Sequence, residues 1–259
     1  MADRTVSAGS QRTTAPPTAI PHAELRERVC AVNRALVPAG LVVLAFGNAS
    51  AVDREAGVVA IKPSGADYAG LEPADIVVIS LVDGSRVDGQ LRPSSDTPTH
   101  LGLYRAFPSI GGVIHTHSTQ ATAWAQAGRP IPCFGTTHAD HFRGPVPVTR
   151  PLTEAELAGA YETNTGLAIV ERFEADGLDP DEVPGCLAVG HGPFTWGPSV
   201  EAALENAIAL EQVAAMAILT LAIDPAATPL WPALRDRHHR RKHGSTAYYG
   251  QVADKRERA

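Results

Sequence analysis

The chain has 259 residues, a net charge of −6 and 44% hydrophobic against 19% charged residues, the composition of a soluble globular protein and not of a disordered one. A pI near 5.9 excludes the broad basic field of a general nucleic-acid surface, so any anionic partner must be held by a local pocket. No apolar run reads as long enough to span a membrane, and Cys30, Cys133 and Cys186 are too scattered for a disulfide framework or a structural zinc site, which predicts a reduced, cytoplasmic protein.

Residues 1–20 are rich in Ala, Thr, Ser and Pro without an apolar stretch, and read as a disordered tail and not as an export signal. Order is expected from Pro21. Leu25, Val29, Val32 and Leu36 fall at helical spacing and predict a helix over 23–37, broken by Pro38 and Gly40. Short β-like runs follow at 42–46, 58–61 and 76–81. The segment 93–98 reads as a helix start, with small oxygen-bearing residues for the cap and a proline in the first turn. Residues 113–117 read as a strand, 154–176 as one helix, 187–189 as a short buried strand and 199–221 as a long helix capped by Ser199. Irregular alternation, without repeats or an internal linker, predicts a single layered α/β domain. The basic run 235–242 reads first as a solvated helix face, and second as a source of side chains for a phosphate site.

The chemistry concentrates in a few places. His115 and His117 lie two apart on the predicted strand, so both imidazoles point to one face. His191, in Gly190-His191-Gly192-Pro193, follows a buried strand, and Asp96 stands at the helix start before the His115 strand. Three imidazoles and a carboxylate with an open position are the donor set of a catalytic metal site; histidines of the core or surface are the alternative. Gly47-Asn48, Ser64-Gly65 and Ser94-Ser95 each sit at a strand end or helix start. Their backbone N–H groups and hydroxyls suit an anion pocket, to which Lys62 adds a cation, although each pair alone reads as a turn.

These segments, with Arg92 to His100, Gly112 to Ser118, Gly135 to Asp140, Gly190 to Phe194 and Ala247 to Gln251, resemble the L-ribulose-5-phosphate 4-epimerases of the class II aldolase superfamily, in the family's order and over almost the whole chain. The resemblance implies a single-domain, three-layer α/β/α fold around a central, largely antiparallel sheet, with a catalytic domain over 21–251 and a C-terminal tail over 252–259. It implies that Asp96, His115, His117 and His191 hold one divalent metal per subunit, zinc first and manganese as the alternative. Gly47, Asn48, Ser64, Gly65, Ser94 and Ser95 would bind the substrate phosphate and nearby hydroxyls. Asp140 and Tyr249 would transfer protons, with Thr136, Glu162, Lys62, His238 and Arg241 near the site. It further implies a homotetramer of four-fold symmetry with active sites between neighbours, acting on a sugar phosphate in carbohydrate breakdown such as that of arabinose. Without the resemblance, Asp140 reads as a turn residue and Tyr248-Tyr249 as packing.

The implied reaction accounts for these groups. C4 of a ketopentose 5-phosphate is not α to the C2 carbonyl, so its C–H proton is not acidic. Removing the C4 hydroxyl proton instead cleaves C3–C4, and the aldehyde fragment can turn its other face before the bond re-forms. Such a route needs a Lewis acid, a phosphate anchor and one acid/base group on each side of the aldehyde. An unperturbed tyrosine titrates near 10, so Tyr249 would hold its proton at rest. The rival readings are an aldolase of a related ketose phosphate, whose family members carry a Glu where Asp96 stands, and a non-catalytic module of the adducin type.

Overall fold

The computed structural model describes residues 20–243. Its centre is a seven-stranded sheet, ordered β4-β3-β2-β1-β5-β7-β6 with every pairing antiparallel. The strands are β1 (Asn48–Asp53), β2 (Val58–Ile61), β3 (Val77–Ser80), β4 (Arg86–Asp88), β5 (Gly112–His115), β6 (Gly185–Ala188) and β7 (Gly192–Gly197). The central strands are short and buried on both faces, so they show no polar alternation; their side chains divide between two apolar clusters.

The α1 helix (Ala23–Ala35) lies on one face, where Val29, Val32 and Leu36 meet Ala49, Ala51, Ala60, Val78 and Ile114. The same cluster takes in Val200, Ala203 and Ala207 from the first turns of α7 (Val200–Ile223). Against the other face, Val59, Ile79, Val113, Phe194 and Trp196 join Leu103 and Tyr104 of α2 (Thr97–Ala106) and Ile169 and Phe173 of α6 (Tyr161–Asp176). The expected layered α/β/α arrangement is therefore present. Gly166 lets α6 approach α2 closely: a Cβ there would lie 3.2 Å from Thr99 Cα. Arg26, 2% exposed, donates to the carbonyls of Ala74 and Ile76 and pairs with Asp88, tying α1 to the sheet edge.

Four readings need correction. Residues 42–46 form no strand but an exposed loop, with Leu44 at φ 56° and Val43, Leu44 and Phe46 on the surface. The strand begins later, at Asn48, because the chain first turns through Gly47. Residues 154–176 are two helices, α5 (Glu154–Ala158) and α6, divided at Gly159-Ala160. His117 lies beyond the end of β5, not within it. Finally, the 24-residue α7 is long and apolar enough, by length and composition, to cross a membrane. Its Val200, Ala203, Leu210, Val213 and Ala217 are packed into the domain, and Glu211 accepts hydrogen bonds from the N–H groups of Gln120 and Ala121 at the start of α3 (Thr119–Gln126). Those contacts make α7 a packing helix. Its Ser199 cap is as predicted, the hydroxyl accepting from Ala202 N.

Candidate active site

Antiparallel pairing brings unlike strand ends together. The starts of β1 and β7 and the end of β5 meet at one end of the sheet, with Asn48 opposite His115 and His115 opposite Phe194. There a cavity of about 350 Å³ is lined by His115, His117 and His191, by Asp96, and by Gly47, Asn48, Lys62, Ser64, Gly65, Ser94, Ser95 and Glu162. Of the residues expected from sequence, these twelve are brought together.

The three imidazoles converge. Their ring centroids lie 4.7–4.9 Å apart, and one nitrogen from each falls within 4.8 Å of the others. His115 stacks on Phe194, and its Nδ1–H donates to the Pro193 carbonyl at 3.0 Å, which leaves Nε2 as the lone-pair nitrogen, 3.1 Å from His117 Nε2. His191 sits in the β6–β7 hairpin after Gly190 (φ 70°), and Tyr161 Oη lies 3.0 Å from its Nδ1. An Nδ1–H donated there again leaves Nε2 toward the cavity. Burial pushes His115 down to about 3 and lowers His117 and His191 as well, so all three favour the neutral, ligating form. Three neutral imidazole nitrogens at this spacing fit a divalent ion.

Asp96 is the N-cap residue of α2, yet its side chain makes no capping hydrogen bond. Its Oδ2 instead accepts from Asn48 Nδ2 at 2.7 Å. Burial presses this carboxyl upward, but His115, His100 and the Asn48 hydrogen bond outweigh it, and Asp96 is held below its usual range. Asn48 Nδ2 also donates to Ser94 Oγ at 3.0 Å, while its Oδ1 is buried without a partner and so is left for a ligand. Ser64 N donates to Arg92 O and Ser94 N to Lys62 O, which joins the Ser64 and Ser94 loops side by side.

A second cluster does not line this cavity. Asp140 ends α4 (Thr136–Ala139), with Thr136 in that helix's first position. Asp140 accepts from Arg241 Nη2 at 2.7 Å and Nε at 3.1 Å, and His238 Nδ1 lies 3.1 Å from Oδ1. Both partners come from α8 (Pro232–His243). The basic run is thus a helix, and not wholly solvated: it docks on α4 through these pairs, with His243 Nε2 2.8 Å from Asp140 O. Burial raises the Asp140 carboxyl, the Arg241 and His238 contacts lower it more, and the net direction is down. Tyr249 lies outside the described residues. Sequence reasoning missed Phe46 and Tyr161, which line the cavity, and Tyr68, which buttresses it. The aromatic Tyr161 just before Glu162 was the available signal for one of them.

Residues 27–218 match the family model for the class II aldolase and adducin N-terminal domain. The chain is 50% identical over 228 residues to the L-ribulose-5-phosphate 4-epimerase UlaF of Salmonella paratyphi B, spanning 88% of this chain and 99% of that protein. UlaF of Salmonella typhi matches to the same extent, 50% over 228 residues. Among solved structures, an L-fuculose 1-phosphate aldolase superposes with a TM-score of 0.71 at 24% identity, covering 84% of this chain and 95% of its own. The L-fuculose 1-phosphate aldolase of Glaciozyma antarctica PI12 gives 0.68 at 18% identity, over 87% and 86%. The expected likeness to the epimerases therefore holds at the level of sequence, and the aldolases share the fold. The chain belongs to the class II aldolase and adducin N-terminal domain family.

Proposed function

We propose that the chain is a metal-dependent epimerase interconverting L-ribulose 5-phosphate and D-xylulose 5-phosphate at C4, by cleaving and re-forming C3–C4. The observation that carries this reading is one cavity lined by three convergent imidazoles, by small-residue turns and by a lysine. It occurs in a chain 50% identical to proteins named as that epimerase.

His115, His117 and His191, with Asp96 beside them, would hold a divalent ion, zinc first and manganese as the alternative. That ion, when bound, supplies Lewis acidity for the negative charge that develops on cleavage. Gly47, Asn48, Ser64, Gly65, Ser94 and Ser95 would hold the phosphate and nearby hydroxyls, so that the aldehyde fragment turns without leaving. Lys62 and Glu162 line the same space. Asp140, kept ionised by Arg241 and His238, suits taking the hydroxyl proton on one side. Tyr249 would return a proton on the other, and Thr136 lies beside Asp140 on α4.

Because the Asp140 cluster does not line its own chain's cavity, the reading includes a four-fold homotetramer in which a neighbour supplies it. The exposed apolar residues Val43, Leu44 and Phe46, next to the cavity, and Met216 and Leu219 on α7 support such packing. The catalytic domain would run over 21–251, flanked by a tail on either side, in a cytoplasmic protein that needs neither nucleic acid nor membrane.

The test is an assay with L-ribulose 5-phosphate that follows D-xylulose 5-phosphate and free glycolaldehyde phosphate together. Epimer with little free aldehyde, abolished by EDTA and restored by zinc or manganese, is expected. Aldehyde without epimer would replace this reading with the aldolase, and a metal-loaded protein that leaves the sugar unchanged would sink it.

A further inference from the structure

Lys62 is 1% exposed and lines the cavity. Among the described residues its ammonium has neither an ion-pair partner nor a hydrogen-bond acceptor. Nζ is not fully sealed from solvent, so this is a partly desolvated charge that a partner entering the cavity can still reach. What it does meet is the face of Tyr68, whose ring centroid lies 4.5 Å from Nζ. An aromatic face attracts a cation without cancelling its charge or occupying its N–H groups.

Tyr68 is itself 2% exposed, and its hydroxyl donates to the carbonyls of Phe46 at 2.9 Å and Gly47 at 2.7 Å. Gly47 (φ 83°) also has no room for a side chain, since a Cβ there would lie 2.7 Å from His115 O. One side chain therefore touches both the cation and the turn that edge the cavity.

We infer that Tyr68 is the positioning residue for an anion in this cavity: its ring holds the Lys62 ammonium in place without a hydrogen bond, its hydroxyl fixes the Gly47 turn, and an incoming phosphate becomes the direct partner of a charge that Asp67 only partly offsets. The inference rests on the reading above only for the identity of the ligand as a sugar phosphate. Tyr68 touches no reacting atom; it acts through Lys62 and Gly47. It predicts that phosphate-bearing ligands bind and that their unphosphorylated sugars do not. Burial lowers the Lys62 pKa, with Asp67 pulling the other way, so anion binding should raise it again.

The test is calorimetric titration of the metal-loaded protein with inorganic phosphate, for wild type, Tyr68→Phe and Tyr68→Leu, beside metal content and the KM and kcat for L-ribulose 5-phosphate. Tyr68→Phe keeps the ring and loses the hydroxyl; it should weaken phosphate about fivefold and raise KM similarly, with metal content unchanged and kcat nearly so. Tyr68→Leu removes the ring as well and should weaken phosphate by about a further fivefold. If Tyr68→Leu does not fold, Tyr68→Phe decides alone. Phosphate binding equal to wild type in Tyr68→Phe, or none in wild type, overturns the inference. Wild type that binds phosphate in a Tyr68-dependent way yet leaves L-ribulose 5-phosphate unchanged supports the Tyr68 inference and sinks the epimerase reading instead.

Discussion

The cavity of three histidines and the Asp140 cluster are built by opposite means. In the first, backbone pairing does the placing: Asn48, His115 and Phe194 are neighbours by register across β1, β5 and β7. In the second, a carboxylate at the end of a four-residue helix is held by Arg241 and His238 of α8, the last described helix. One arrangement is assembled by the sheet of a single chain; the other does not line that chain's cavity. The contrast teaches that the histidine cavity and the Asp140 cluster should respond differently to the same perturbations.

The largest expected effect separates them. His115→Ala removes a nitrogen from the convergent set, so metal content by elemental analysis should fall far below one ion per chain and turnover about ten-thousandfold. Asp140→Asn should cost about a thousandfold in kcat while metal content stays at the wild-type level. Equal metal loss in both variants would dissolve the distinction.

Acid should strike the α4 region. His138 is buried on α4 with Nε2 2.8 Å from Gly144 O, and burial pushes its pKa from 6.5 down to about 4. Below pH 6.5 the unfolded chain takes up a proton that the folded chain refuses until about pH 4. Stability from this group is therefore full above pH 6.5, falls by about 3 kcal/mol as the pH drops toward 4, and then levels. Urea melts from pH 7 to 4 on wild type and His138→Asn test this, because the variant should lack that share of the slope. The smallest effect sharpens the metal end: Tyr161→Phe, which leaves His191 Nδ1 without its oxygen partner, should weaken metal binding about tenfold in a chelator competition with little change in melting temperature.

How much of this was readable from sequence follows the same division. Spacing places His115 and His117 together, and the small-residue pairs mark the turns where the β-strands end. Residues 42–46 mislead because an unbroken apolar run resembles a buried strand, while Leu44 at positive φ accompanies a loop that leaves Val43 and Phe46 on the surface with no strand to pair. The helical periodicity over 154–176 hides the break at Gly159, which is what frees Tyr161 to begin a helix of its own beside His191. Tyr161 and His191 are 30 residues apart and meet through tertiary packing, a contact with no local signal. Tyr68 is hidden for the same reason: its worth lies in reaching Lys62 and Gly47 at once.

Gly47 has no room for a Cβ beside the His115 carbonyl, and its own carbonyl accepts from the Tyr68 hydroxyl, so one turn touches both the strand that carries His115 and the ring beside Lys62. If the proposed ion and phosphate both bind here, that shared turn would couple them, and each would change the other's affinity by the same factor, as linkage requires. Reshaping the Gly47 turn to admit a different ligand would then alter the affinity for an ion as well, even with every histidine left in place.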